Sequence, residues 1–395
     1  MDTIGQKPER RNDIDWMRIL AVLLLIPFHT ARIFDIFEPF YVKNAELSPW
    51  LSYLVVALLS LWQMQLLFLL AGASTWYALR RRSGGQYVGE RLKRLLVPFL
   101  FGTLVIVPPQ MYFALLFRSN APASYLEFYA GFFQIRPFDI PDYTGIGFTW
   151  AHLWFILDLF VISLIALPLF LGLKTGTGGR ITAGLGATLE RGPAIFLLAL
   201  PLPFVFFYLP EVLDKDFFMY LLVFIYGFVL MTHAGYQRAL DRNKWLALGL
   251  ALVCTAIREA VLISGLEFSE ESPEGILLLF VGSFNLWCWL VALLGLGHRY
   301  LNADNRVLRY ARDASYPFYI LHQTVIVAIG YFVVRWTAAV LPKYLVIAAC
   351  SLAVIVALYD LIVRRTNLTR FLFGMKPLPR LSAPQVVLPS GQSGT

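Results

Sequence analysis

Asp15-Trp16-Met17-Arg18 and, eleven residues beyond the arginine, Ile26-Pro27-Phe28-His29 bracket the first long apolar run of the chain. Ionisable groups inside a bilayer cost roughly 2.5–3.5 kcal/mol each even on forgiving insertion scales, so they are rare there and usually functional. At 100° per residue, Arg18 and His29 lie about 20° apart around a helix, with Asp15 about 40° to the other side. The rise between arginine and histidine is roughly 16 Å, half the hydrocarbon thickness. One face of one helix therefore carries three polar groups in a line. That pattern decides the class: a membrane-spanning helix with a polar stripe, facing protein or water rather than lipid.

Composition agrees. The 395 residues are 58% apolar and 15% charged, with mean hydropathy +0.65, values of a polytopic membrane protein. Apolar runs near 14–34, 50–79, 95–117, 151–173, 193–209, 216–236, 244–264, 275–297, 316–341 and 342–363 predict about ten transmembrane helices in an all-α fold. Placing the N-terminus and every second loop on one side collects 24 of the 33 Lys and Arg residues there. Six (Arg32, Lys43, Arg118, Arg136, Lys215, Lys343) fall on the other side, and Arg18, Arg258 and Arg335 lie within spans. The positive-inside rule then puts both termini in the cytoplasm. The same asymmetry accounts for the net charge of +8 beside anionic lipid. No basic cluster is interleaved with a soluble nucleic-acid-binding pattern, which excludes nucleic acid as partner.

The organisation predicted is a cytoplasmic segment over 1–13, one membrane domain over 14–377 and a disordered cytoplasmic tail over 378–395. The first span is too long and too polar for a cleaved signal peptide. Cys254, Cys288 and Cys350 fall within spans at wide spacing, which fits neither a disulfide framework nor a CxxC metal site. Between Arg118 and Trp150, Leu126, Phe128, Tyr129, Phe132 and Phe133 suggest an interfacial helix, in a lid or in a plain connector. The glycine-rich stretch 174–192 lacks the Lys-Ser/Thr ending of a phosphate-binding loop and reads as a linker.

Several residues invite chemistry, each with a structural alternative. His29 is either a base or a helix-to-helix hydrogen bonder; the aligned Arg18 and Asp15, and Pro27 two residues before it, favour the first. Gln63 and Gln65 in the second span need hydrogen-bond partners from protein or substrate. His152 opens the fourth span at the mouth of a path ending at His29, with Asp158 deeper. Trp154 is a site residue or part of the interfacial aromatic belt. Ser315 before Tyr316-Pro317 reads as a helix start, which places His322 one and a half turns inside, lining a donor entry or packing. Arg258-Glu259, Arg335 and Asp360 snorkel or pair. His298 reads as interfacial.

Arg18-x10-His29 resembles the membrane-bound acyltransferase 3 family. The resemblance extends through Met64-Gln65-Leu66-Leu67-Phe68-Leu69-Leu70-Ala71-Gly72, His152-Leu153-Trp154-Phe155 and Tyr316-Pro317-Phe318-Tyr319-Ile320-Leu321-His322. Ile26-Pro27-Phe28-His29, Gly297-His298-Arg299-Tyr300-Leu301-Asn302 and Phe371-Leu372-Phe373-Gly374-Met375-Lys376-Pro377 look like its branch that succinylates periplasmic glucans. The resemblance implies a multi-pass protein of the bacterial inner membrane. It would move a succinyl or acetyl group from cytoplasmic acyl-CoA to a hydroxyl of a glucan or other envelope carbohydrate. An activated thioester needs a base and oxyanion donors rather than a Ser or Cys nucleophile. The catalytic group expected is His29, Arg18 and Asp15; the substrate-binding group is Gln65, His152, Trp154, His322, Arg80, Arg81 and Arg82. Arginine suits CoA phosphates through bidentate contacts, so the donor is expected beneath Arg80–Arg82 and Arg91–Arg94, its pantetheine arm along the Arg18 stripe. Acyl-CoA enters as co-substrate; no metal or bound cofactor is expected. A secondary transporter or flippase for an anionic or carbohydrate substrate is the alternative, disfavoured by the lack of inverted repeats.

Overall fold

The computed structural model describes residues 11–119, 124–133, 148–212 and 215–378, and among these the chain is helical with no strand. Among the described residues seven helices are long and apolar enough to cross a bilayer: α1 (Asn12–Ala31), α2 (Pro49–Leu79), α3 (Gly84–Phe117), and then Ala234–Ser264, Pro273–Tyr300, Arg306–Val333 and Val340–Val363. Two bent pairs precede the last four. In chain order these are α4 (Ala151–Ile165 with Leu167–Leu173, bent by 47°) and α5 (Gly176–Leu189 with Ala194–Tyr208, bent by 119°). The 14-residue α6 (Phe217–Leu230) follows, so the last four long helices are α7 to α10.

All ten apolar runs thus contain helix, but among the described residues seven helices are long and apolar enough to cross, or nine if each bent pair is one span. The expected count of ten exceeds that because α6 covers only about 21 Å at 1.5 Å per residue. The segment 1–10 and the tail from 379 lie outside the described residues, as do 120–123 and 134–147 of the long loop. The described part of that loop contains the anticipated helix, Tyr125–Phe132. It buries Phe128 and Phe132 and leaves Leu126 exposed, with Phe128 5.4 Å from Tyr112 of α3.

Two further expectations are corrected. The stretch read as a glycine-rich linker is mostly helix: Thr175 Oγ1 accepts the Gly178 N–H (3.2 Å) and starts Gly176–Leu189. Two of its glycines serve close packing, since a Cβ on Gly186 would strike His233 and one on Gly178 the Gly172 carbonyl. Nor does the ninth span start at Ser315. Asn305 Oδ1 caps the Leu308 N–H (2.8 Å), α9 runs from Arg306 through Pro317 to Val333, and α10 begins at Val340. Proline is tolerated inside α9 because neighbouring helices enclose it.

α9 is the centre of the bundle. It is the least apolar of the seven long helices and the most buried, packed by α1, α3 and α10. The two properties have one cause: polar side chains inside a membrane must face protein. α2 and α6 form the second tight contact. A Cβ on Gly72 would land on the Phe224 carbonyl, and one on Gly227 on the Leu69 carbonyl. This approach stacks Phe68 on Tyr220 at 4.5 Å. α7 and α8 pair at the periphery, joined by Asn285 and Trp289 donating to Thr255 Oγ1 (3.1 and 3.0 Å). Cys254, Cys288 and Cys350 are free.

Candidate active site

α1 is interrupted at Leu24, three residues before Pro27. Proline has no N–H to offer the preceding turn, which weakens the helix there. Beyond the break the helix carries His29. The segment that follows folds back over it. Arg32 NH1 pairs with Asp35 Oδ2 (3.0 Å), Lys43 Nζ with Asp35 Oδ1 (3.0 Å), and Asn44 Oδ1 accepts from the buried Lys343 (3.0 Å). These ties seat the Phe40 ring on His29, centroids 6.1 Å apart.

Three imidazoles from three helices meet here. The His322 ring of α9 lies 5.0 Å from His29 of α1 and 5.0 Å from His152 of α4. Backbone carbonyls fix two of them. His152 Nε2 donates to the Ile320 carbonyl (2.9 Å) and His322 Nδ1 to the Tyr319 carbonyl (2.6 Å). The Tyr319 hydroxyl in turn donates to the His152 carbonyl. Each ring keeps one buried nitrogen without a partner: His29 Nδ1, His152 Nδ1 and His322 Nε2. Buried polar atoms are satisfied in the great majority of cases, so three orphans in one cluster point to an added ligand or to proton transfer. The backbone at this point is unusual as well. Ala151, just before His152, holds φ at +45°, a region costly for residues with a Cβ. Among the described residues no group of three His, Cys, Asp or Glu side chains is arranged to hold a metal ion.

The other end of the α1 stripe is an arginine cluster. Arg18 donates to Ser74 Oγ of α2 (2.5 Å) and to Asp15 Oδ1 (3.3 Å), while Arg312 of α9 lies 3.7 Å from Asp15 Oδ2. From Arg312, the residues Tyr316, Tyr319 and His322 follow at three- and four-residue steps and so share one face of α9. α1 and α9 therefore form two polar rails running the same way, joined by Asp15 with Arg312 at one end and by His29 facing His322 at the other. Midway, the buried Tyr316 hydroxyl has no partner.

The remaining predicted residues divide. Gln63 donates to the Ala21 carbonyl (2.9 Å), a helix-to-helix tie, whereas Gln65 Oε1 is enclosed without a partner. Trp154 packs against Tyr220 (5.4 Å), with Lys215 Nζ 5.5 Å from its ring centroid. Asp158 Oδ2 is enclosed and unpaired. Arg80 and Arg81 are exposed and Arg82 pairs with Glu90 (3.0 Å), so the structure does not bring this trio to the histidines. Arg91 instead points inward, donating to Thr75 Oγ1 (2.9 Å) with its guanidinium 4.6 Å from the Tyr87 ring. Arg312 and Tyr319 were not singled out from sequence. Their seven-residue spacing, ending three residues before His322, was the available signal. His298 meets Asp241 (3.1 Å), and Asp360 pairs with Arg364 (3.0 Å).

A bundle of helices long and apolar enough to cross a bilayer, enclosing a cluster of three histidines, defines a multi-pass membrane protein with a polar site inside the bundle. The family model for the acyltransferase domain Acyl_transf_3 matches residues 11–360, and the chain belongs to that family. It is a membrane acyltransferase. Relatives named Glucans biosynthesis protein C, from Escherichia coli O139:H28 (strain E24377A / ETEC), strain SMS-3-5 / SECEC and strain K12, are each 23% identical over 387 residues, covering 94% of this chain and 96% of theirs. No solved structure matches the chain.

Proposed function

We propose that the protein is an O-acyltransferase of the bacterial inner membrane, carrying a succinyl or acetyl group from cytoplasmic acyl-CoA to a hydroxyl of a periplasmic glucan or other envelope carbohydrate. The observation that carries this reading is the pair of polar rails joining the Arg18–Asp15–Arg312 cluster to His29 and His322. Arg18, Arg91 and Arg312 offer charge-assisted donors to the phosphates of CoA, and the face of Tyr316 and Tyr319 runs from there toward the histidines. The positive-inside count supports a cytoplasmic position for the arginine end. The relatives' name supports a glucan as acceptor.

In this reading His29 is the general base. It takes the proton of the attacking hydroxyl as the oxygen bonds to the thioester carbonyl. The tetrahedral oxyanion collapses, the C–S bond breaks, and the leaving CoA sulfur takes the proton back from His29. The products are an ester and free CoA, with no covalent acyl-enzyme. Mass spectrometry of periplasmic glucans and envelope polysaccharides, from cells with and without the protein, tests the activity. Esters present with the wild-type protein should vanish with His29→Ala at equal expression. Export of an unmodified substrate with no new ester would instead mark a transporter.

A further inference from the structure

His322 ends in a nitrogen with no partner. Its Nδ1 is committed to the Tyr319 carbonyl (2.6 Å), so in the neutral ring the proton sits on Nδ1 and Nε2 carries the lone pair. That Nε2 is enclosed without a hydrogen bond, on a side chain only 1% exposed. Two rings face it. His152 cannot satisfy it, because its single neutral-state proton is already on the Nε2 that binds the Ile320 carbonyl. His29 can. Its tautomer is fixed by no hydrogen bond among the described residues, and its Nδ1 is enclosed and unpartnered at 5.0 Å between ring centroids. The His29 ring is half-buried overall, which leaves Nε2 as the nitrogen turned to the accessible side. Catalytic hydrogen bonds are often loose before substrate binds and tighten in the complex.

We propose that His322 is a positioning residue: its Nε2 accepts the Nδ1–H of His29 and so fixes the tautomer that leaves His29 Nε2 free to act as base. The Tyr319 carbonyl holds His322 in the matching tautomer. When His29 Nε2 takes the hydroxyl proton, both His29 nitrogens carry hydrogen and the positive charge is shared into a bond with a neutral acceptor. When the C–S bond breaks, that Nε2 proton passes to the leaving sulfur and the pair returns to its starting state. A backbone carbonyl and a second histidine thus do what a carboxylate does in a Ser-His-Asp triad. The inference rests on His29 being the base.

The test uses purified full-length protein in lipid nanodiscs. Succinyl-CoA and acetyl-CoA are the donors, and periplasmic glucan extracted from cells lacking the protein is the acceptor. His322→Phe keeps ring volume and removes both nitrogens. It should lower kcat by about 10²-fold with the KM for acyl-CoA nearly unchanged. His322→Gln restores an acceptor at similar reach and should recover at least tenfold of that loss. The His29→Ala/His322→Phe double variant should be no slower than His29→Ala alone, because the two residues act as a unit. Wild-type kcat in His322→Phe, or equal losses in the Phe and Gln variants, would overturn the positioning role and leave the base assignment standing. Retained turnover in His29→Ala would remove the base assignment and this inference with it.

Discussion

The Asp15 carboxylate stands between two arginines, 3.3 Å from Arg18 on its own helix and 3.7 Å from Arg312 on α9. Both guanidiniums reach one carboxylate at the end of the two rails, and in the proposed function Arg312 and Arg91 meet the donor phosphates there. Arg312→Gln and Arg91→Gln should each raise the KM for acyl-CoA about tenfold with little change in kcat, since a well-formed charge-assisted contact is worth about 1.5–3 kcal/mol and these are partly hydrated. Arg81→Gln, at an exposed position, should change it less than twofold. Initial-rate kinetics on the purified variants decide it, and an equal effect at Arg81 would move the donor site to the α2–α3 turn.

Gly72 and Gly227 each sit where a methyl group would meet the partner helix backbone. Gly72→Ala should cost about 1–3 kcal/mol through overpacking and lower the melting temperature in detergent. Gly85→Ala, where nothing stands within 4 Å, is the matched control and should be neutral or slightly stabilising.

Ala151 holds a left-handed backbone beside His152, braced by its N–H donating to Thr149 Oγ1 (3.0 Å). That conformation costs an L-residue roughly 1–2 kcal/mol, and most for β-branched side chains. Melting temperatures should fall in the order Gly, Ala, Val at this position. A more stable Ala151→Val protein would show that the turn relaxes at no cost.

The charge count predicts an orientation with both termini in the cytoplasm. In a cysteine-free background, Glu46→Cys between α1 and α2 should react with an impermeant thiol reagent in cells with a permeabilised outer membrane. Ala303→Cys between α8 and α9 should stay unlabelled until the inner membrane is opened. The reverse pattern would invert the topology and the proposed side of the donor.

The stripe Asp15, Arg18, His29 was legible because helical periodicity and the cost of charge in lipid are local facts. His152 and His322 were visible as candidates, but not as one cluster, because nothing local states that α1, α4 and α9 converge. Where Arg80–Arg82 would lie relative to the histidines was not legible, for an electrostatic reason. A loop arginine that fixes topology and one that binds a ligand look alike in sequence, and only burial separates Arg91 from Arg81. The glycines of 174–192 misled: glycine disfavours an isolated helix, yet it is what lets a helix press against His233 and Tyr236.

The burial of α9 has a consequence for biogenesis. As the least apolar of the seven long helices, it is the poorest at entering lipid alone, while α10, directly after it, is the most apolar. The two pack together across a turn of six residues, 334–339. α9 should therefore depend on α10 to be retained in the bilayer, the pair partitioning as a hairpin. A chain stopped at Ala339 should leave α9 accessible to protease on vesicles, and one stopped at Arg365 should protect it. If both protect it equally, α9 inserts unaided. The helix that carries His322 would then settle in the bilayer only once the last long helix has emerged, so that the polar interior closes after most of its apolar walls are in the membrane.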